Sequence, residues 1–330
     1  MSDSLQAAVD AILSADRLLL MTHEHPDGDA IGSLTALHRI LASIGRQAPM
    51  LITEGDDPGG EYSFLVPWDE VVREIPQDRD GLLLVMLDCG NYERSPIGGI
   101  EAAPAMVVNI DHHHDNTRFG SINVVDGEAS CTAELVWRMH GLLGGKIDDL
   151  AAQALYAGLI TDTGRFMYSN TGPAAHAMAA DLIERGVNTE AMYRRIYEGV
   201  AEGKVRLLAI ALTGLERYDD GNLSLTFLDR SAFDRSDAAD DWTEGIVDHL
   251  RAIAGTAVAA VIREPANDPS SRRVSLRASR EGVDVSAIAR SGGGGGHKGA
   301  AGFSTELQRE ELVEFLRAEV AAQLSAAGSR

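Results

Sequence analysis

A chain of 330 residues, 45% of them hydrophobic, is long and apolar enough for about two ordinary domains and too apolar for a disordered chain. Its 2 cysteines make no disulfide framework, and no apolar run is long enough to span a bilayer. The formal charge of −21 opposes long nucleic acid, whose binding depends on Lys and Arg neutralising phosphates, but leaves room for a short anion held by local cations and metal ions.

The chain opens on MSDSLQAAVDAILSADR. An early acid and no basic n-region predict no signal peptide, so a cytoplasmic protein without a membrane segment is expected. Residues 4–14 predict a helix and DRLLLMTH (16–23) a buried strand. A helix from about Ala30 to Ser43 and a strand at APMLITE follow. GLLLVMLD (81–88) and AMVVNID (105–111) are continuous apolar runs ending in an acid. Such runs suit parallel strands covered on both faces. They place Asp at the C-terminal strand end, where open α/β sheets bind ligands. CTAELVWRMHGLL, DDLAAQALYAGLITDTG and GPAAHAMAADLIERG predict helices, the last with Gly186 as its C-terminal stop.

The pattern changes near Asn188. TEAMYRRIYEGVAEGKVRLLAIALTGLERY predicts helical connecting structure. NLSLTFLD, TAVAAVIRE and RRVSLRAS predict strands of a smaller mixed sheet, and ELVEFLRAEVAAQL an amphipathic helix. The fold class expected is therefore α/β, with a domain boundary at about 190–205.

Four stretches carry the chemistry. THEHPDGDAIGS offers His23, His25, Asp27 and Asp29 directly after a strand, VMLDCG offers Asp88, NIDHHHD offers Asp111, His112, His113 and His114, and GLITDTGRF offers Asp162. Singly, each has a bland reading as a turn, a cap (Asp29 for the next helix) or a solvated strand end. All four lie at the ends of apolar elements, a coincidence that capping does not explain. Imidazole with carboxylate suits Mn²⁺, Zn²⁺ or Fe. The candidates His23, Asp27, Asp29, Asp88, His112 and Asp162 are numerous enough for two divalent ions, which together clamp a phosphate and activate water.

These four motifs, in order, resemble those of the DHH phosphoesterases, and GGGGGHKGAAGF resembles the signature of the associated DHHA1 domain. The pairing at this length is similar to the bacterial nanoRNase (oligoribonuclease)/pAp phosphatase group. The resemblance implies an N-terminal DHH domain with a mostly parallel sheet flanked by helices (1–190, catalytic and metal-binding). A helical linker (191–210) and a smaller α/β DHHA1 domain (211–330, substrate-binding) would follow. It implies one ion on His23, Asp27 and Asp88 and a second on Asp29, Asp88, His112 and Asp162, with Mn²⁺ as the expected metal. His113 would be the non-ligand histidine that assists the leaving oxygen, and Asp111 would orient a histidine. His25 would shape its loop or lie near the phosphate, without being a ligand; His38, His140, His176 and His249 read as ordinary packed or surface residues.

A run of five glycines, Gly292–Gly296, followed by His297 and Lys298 would ordinarily be a linker. The residues HKGAAGF and a helix follow immediately, so an anion-binding turn is the better expectation. Between 263 and 298 the chain carries 7 Arg or Lys against 4 Asp or Glu. The resemblance implies that Gly294, Gly295, Gly296, His297, Lys298 and Arg277 hold the non-scissile part of a substrate of one to a few nucleotides. Phe166, Tyr168, Tyr193 and Tyr197 are candidates for base stacking.

The expected activity is hydrolysis of short oligoribonucleotides to mononucleotides and of the 3′-phosphate of pAp to give AMP. The alternative is a phosphodiesterase for cyclic or linear signalling dinucleotides such as c-di-AMP and pApA. A family II pyrophosphatase would need a Lys/Arg-rich motif in place of the glycine loop, and a non-catalytic nucleotide binder would need no complete ligand set. The oligomeric state, a homodimer included, stays open.

Overall fold

The computed structural model describes residues 2–58, 60–97, 106–268, 270–296 and 298–328. The chain forms two compact units, residues 1–199 and 200–330. Among the described residues no helix is long and apolar enough to cross a membrane.

In the first unit α1 (Ser2–Ser14) leads into β1 (Arg17–Met21), α2 (Gly28–Ala42), β2 (Met50–Leu51) and β3 (Val71–Val72). β4 (Leu82–Leu87), β5 (Met106–Asp111) and β6 (Ile122–Val125) complete the strands. The helices α3 (Thr132–Leu143), α4 (Asp149–Asp162), α5 (Pro173–Glu184) and α6 (Thr189–Tyr197) follow. The strands make one parallel sheet in the order β3-β2-β1-β4-β5-β6. The APMLITE strand is only two residues long, because its remaining residues leave the ladder.

The apolar runs are continuous because both sheet faces are covered. Leu18 and Leu20 of β1, with Leu83, Val85 and Leu87 of β4, join the core shared with residues of α1–α6. Their alternates Leu19, Met21, Leu82, Leu84 and Met86 join a second cluster that includes Val72, Ile75, Tyr92, Ile97 and Phe119. This is the two-residue period of a strand.

Two glycines set the approach of α2 to α4. A Cβ on Gly32 would lie 2.4 Å from the Ala154 carbonyl oxygen, and one on Gly158 would lie 2.8 Å from both Asp29 Oδ1 and Ala133 Cβ. Only glycine lets the two backbones come this close, and the contact draws Asp29 toward the end of α4.

In the second unit α7 (Glu202–Thr213) precedes β7 (Glu216–Tyr218), β8 (Leu223–Leu228), α8 (Arg230–Ser236), α9 (Ile246–Arg251), β9 (Val258–Arg263) and β10 (Arg272–Ala278). Then come α10 (Val285–Ser291), β11 (Gly295–Gly296), β12 (Ala300–Thr305) and α11 (Arg309–Gly328). The sheet order is β11-β12-β10-β9-β8-β7. β8 and β9 pair in parallel and the other neighbours antiparallel, so the sheet is mixed. Val258, Ala260 and Ile262 of β9 pack with α10 and α11 residues such as Ile288 and Leu316. Ala259 and Val261 pack on the other side with Leu207, Phe233 and Leu250 from α7, α8 and α9. The helical segment near 190–213 is divided: Met192 and Ile196 of α6 belong to the first unit's core, Leu207 and Ala211 of α7 to the second's.

Candidate metal centre

In the first sheet β1 and β4 are neighbours, while the chain runs outward from β1 to β2 and from β4 to β5. This reversal of strand order leaves a crevice at the carboxyl ends of the strands, the ordinary ligand position of such sheets. His23 lies two residues past β1, Asp88 directly past β4, and Asp111 ends β5. Asp162 ends α4, and Asp29 lies in the first turn of α2. Asp88 takes a left-handed conformation, φ 56°, a strained geometry that persists where the surroundings fix it.

The donor atoms converge. His112 Nε2 lies 3.9 Å from Asp29 Oδ2, 3.7 Å from Asp88 Oδ1 and 3.6 Å from Asp162 Oδ2. His23 Nε2 lies 3.6 Å from Asp88 Oδ2. The sets His23, Asp27, Asp88 and Asp29, His112, Asp162 each have ligand atoms within 4.8 Å of one another, as do Asp88, His112 and His113. These gaps are too long for hydrogen bonds. Ligands bound about 2.1 Å from a shared ion lie roughly 3 Å or more apart, so the spacing suits metal.

Two further observations test the fit. His23 Nδ1 lies 2.7 Å from the Glu24 carbonyl, which only accepts, so Nδ1 carries a proton and Nε2 is the ring nitrogen that faces the cluster, where the neutral form can ligate. That Nε2 is buried and has no hydrogen-bond partner. Burial and the neighbouring Asp88, Asp162 and Asp27 push the Asp29 carboxyl well above its ordinary range. Burial, with Asp88 and Asp27, pushes Asp162 to about 7. Asp88 goes the other way: burial opposes its charge, but His23, His113 and His112 hold it well below the usual carboxylate range. Carboxylates packed this tightly want divalent cations, and the N/O donor set is one that such ions accept.

Further residues hold the ligands in place. Asp27 caps α2, its Oδ1 accepting from the N–H groups of Asp29 (3.0 Å) and Ala30 (3.1 Å); the cap is thus Asp27 and not Asp29. Asp29 itself accepts from the N–H groups of Thr132 (2.6 Å) and Ala133 (2.9 Å) at the start of α3. Thr132 Oγ1 donates to Asp88 Oδ1 at 2.9 Å. Asn170 Nδ2 reaches Asp162 Oδ2 at 3.1 Å and the Ser130 carbonyl at 2.8 Å. The buried Asp111 faces His113 Nδ1 at 2.8 Å through Oδ1 and accepts from Asn116 Nδ2 through Oδ2. Burial opposes charge on His113, but Asp111 and Asp88 outweigh it and raise the ring to about 9.

Arg94 adds a cation beside the cluster. Its carbonyl accepts the Glu24 N–H at 2.8 Å. Burial opposes charge on His23, Asp88 outweighs it and raises the ring, and the Arg94 charge is a smaller opposing influence on both His23 and His113. Sequence reasoning passed over Thr132, Asn116, Asn170 and Arg94. Thr132 was hidden inside a helical pattern; only its position before a run of helix-forming residues, SCTAEL, marks it as a helix start.

The remaining candidates are placed as follows. His25 is 82% exposed, and its N–H donates to Asp56 Oδ1 at 2.7 Å, a loop-shaping contact. Phe166 stacks on His176 at 5.1 Å, and the Tyr197 hydroxyl donates to the Ile160 carbonyl; Tyr168 and Tyr193 are exposed. Both cysteines are buried.

In the second unit the first glycines of the run end α10, and the last two, Gly295 and Gly296, form the short edge strand β11. A Cβ on Gly294 would lie 2.1 Å from the Gly302 carbonyl oxygen, and Gly296 has φ 135°. The N–H groups of Gly292, Gly293 and Gly294 donate to carbonyls of α10, so those donors are spent within the unit. Gly295, Gly296 and Lys298 are exposed. His297 lies outside the described residues. Arg277 Nη1 donates to the Leu276 carbonyl, and Nε is 4.0 Å from Asp248 Oδ1.

Comparison with known proteins agrees with this architecture. Residues 17–159 match the DHH family, N-terminal domain, and residues 230–325 the DHHA1 domain. The chain is 32% identical over 312 residues to the bifunctional oligoribonuclease and PAP phosphatase NrnA of Thermus thermophilus, covering 94% of this chain and 91% of that one. It is 26% identical over 292 residues to the protein of the same name from Bacillus subtilis, covering 88% and 89%. Among solved structures, an exopolyphosphatase-related protein from Bacteroides fragilis superposes with a TM-score of 0.88 at 23% identity, covering 99% of this chain and 98% of that one. The exonuclease RecJ bound to manganese superposes at 0.52 and 14% identity, covering 97% and 94%. Both structures share the fold.

Proposed function

The chain belongs to the DHH phosphoesterases with a DHHA1 domain, and from that membership we propose that it hydrolyses short oligoribonucleotides to mononucleotides and removes the 3′-phosphate of pAp. The observation that carries the reading is the meeting of His23, Asp27, Asp29, Asp88, His112 and Asp162 at one strand edge. These residues would hold two divalent ions, Mn²⁺ by preference, with His23, Asp27 and Asp88 on one and Asp29, Asp88, His112 and Asp162 on the other. When bound, such ions polarise phosphate oxygens and lower the pKa of water.

The chain's own groups do the rest. Asp111 engages His113 at Nδ1 and orients the ring, and His113 would donate to the leaving oxygen. Arg94 places a fixed positive charge beside His23 and His113, where a phosphate's non-bridging oxygens gain from it. In the second unit, Arg277, the Gly295–Gly296 edge, His297 and Lys298 would bind a non-scissile phosphate, with Gly294 clearing space for the turn. The division of labour is catalysis in residues 1–190 and substrate holding in residues 211–330.

The test is incubation of the purified protein with Mn²⁺ and pApA, with products resolved by chromatography and an Asp88→Ala control. AMP from the wild type alone supports the reading. No product from folded, metal-loaded protein sinks it, and relative rates on pAp, longer RNA and cyclic dinucleotides rank the substrates.

A further inference from the structure

Thr132, at the first position of α3, joins two of the carboxylates of the centre, Asp29 and Asp88. Its hydroxyl donates to Asp88 Oδ1 at 2.9 Å and its backbone N–H to Asp29 Oδ2 at 2.6 Å. The adjacent Ala133 N–H binds the other oxygen of Asp29 at 2.9 Å. Residues more than 40 and 100 positions apart in sequence are thus tied to one residue.

The arrangement replaces an ordinary helix cap. Cys131 stands at the N-cap of α3 and makes no side-chain capping bond. Asp29, brought across by α2, satisfies the first N–H groups of α3 instead. The exposed positive end of a helix favours a carboxylate there. Thr132 and Asp29 are both buried, so neither donor nor acceptor has water to fall back on.

The hydroxyl also sets which way Asp88 faces. Oδ1, fixed by Thr132, lies 3.7 Å from His112 Nε2 and 3.7 Å from His113 Nδ1. Oδ2 is thereby turned to His23 Nε2 at 3.6 Å. One carboxylate oxygen serves each side of the cluster, which is what a bridging ligand requires. Rotation of the carboxyl by a quarter turn would take both oxygens out of these lines, and the Thr132 hydroxyl is the contact that holds Oδ1 from the α3 side.

We propose that Thr132 is the positioning residue of the centre: its hydroxyl holds Asp88 in the bridging orientation while its backbone N–H holds Asp29, so that one side chain tunes affinity for the metal pair. The proposal rests on the reading of this cluster as a metal centre. Outer hydrogen bonds of this kind are worth roughly 10–100-fold in metal affinity.

The experiment is calorimetric titration of metal-free protein with Mn²⁺, which reads the centre with no substrate present. Thr132→Val keeps the branched shape and removes the hydroxyl; Thr132→Ser restores it. The expected result is Mn²⁺ affinity about 10-fold or more weaker in folded Thr132→Val, with Thr132→Ser close to wild type. Wild-type affinity in folded Thr132→Val overturns the proposal, as does a loss that Thr132→Ser fails to rescue. Should the valine variant not fold, Thr132→Ala makes the same deletion with less volume and is judged by the same criterion. Wild-type protein that takes up no Mn²⁺ overturns the reading of the centre itself, and this inference with it, whereas uptake without hydrolysis of pApA overturns only the proposed substrate.

Discussion

The strand edge of the first unit and the glycine edge of the second are built on opposite plans. At the first, His23, Asp29, Asp88 and Asp111 are buried, and each is fixed by protein partners before any ligand arrives. At the second, Gly295, Gly296 and Lys298 are exposed. The difference suits two tasks. Divalent ions need ligands held to a few tenths of an ångström, and a low-dielectric surround strengthens their hold. A flexible anionic substrate needs accessible donors on a backbone that it can approach closely.

Removing a ligand at the buried edge should have the largest effect. Asp88→Ala should lower Mn²⁺-dependent hydrolysis of pApA by about 10³-fold or more, because both sides of the cluster lose their shared carboxylate. Retention of a tenth of the wild-type rate would break the assignment. Metal removal comes next. Saturation at about 100 times the dissociation constant should stabilise the first unit by about 2.7 kcal/mol, read as a chelator-sensitive melting temperature. A transition indifferent to chelator would place the ions elsewhere.

The close helix contact offers a sharper cut. Gly158→Ala puts a methyl 2.8 Å from Asp29 Oδ1 and Ala133 Cβ, an overpacking that should cost about 1–3 kcal/mol in thermal or urea unfolding. It should weaken Mn²⁺ binding as Asp29 is displaced, and unchanged Mn²⁺ affinity would show that α2 and α4 yield elsewhere. In the second unit, Lys298→Ala at the exposed edge or Arg277→Ala on β10 should raise KM for pApA about 10-fold, the value of one charge-assisted contact, with Mn²⁺ affinity intact. A change in metal affinity instead would erase the contrast between the two edges.

The smallest effect lies away from both. Asp148 is held below its ordinary pKa: burial opposes its charge, and hydrogen bonds from Arg39 and the Ala151 N–H outweigh it. A depressed folded-state pKa stabilises above the unfolded value, near 4, and the gain disappears as pH falls through the lower folded value. The pair is partly exposed, so solvent screening limits it to about 1 kcal/mol or less. Asp148→Asn should therefore lower the urea midpoint slightly at pH 7 and leave it unchanged near pH 2.

Much of this was legible in the residues. Runs such as LLLVML are apolar at every position, which requires cover on both faces, and their terminal acids lie where parallel sheets bind ligands. The strand APMLITE shrank to two residues, since propensity does not report how long a neighbour remains within pairing distance. Composition suggests a cradle in the glycine run, but several of its glycines also answer to steric demand: Gly294 and Gly296 have no room for a Cβ against β12. That demand comes from a strand paired across a turn, and glycine composition alone does not distinguish it from ligand binding.

The sequence by itself determined the α/β alternation, the residue types of the centre and their placement at the ends of apolar elements, because these follow from local periodicity and from chemistry that each motif carries alone. Only the tertiary structure decided which oxygen of Asp88 faces which histidine, that Asp29 caps a helix 103 residues away, and that Thr132 and Asn170 hold the carboxylates. Those are contacts between elements distant in sequence. They depend on the approach of α2 to α4 at Gly32 and Gly158, a distance set by the packing of whole helices that no local spacing encodes.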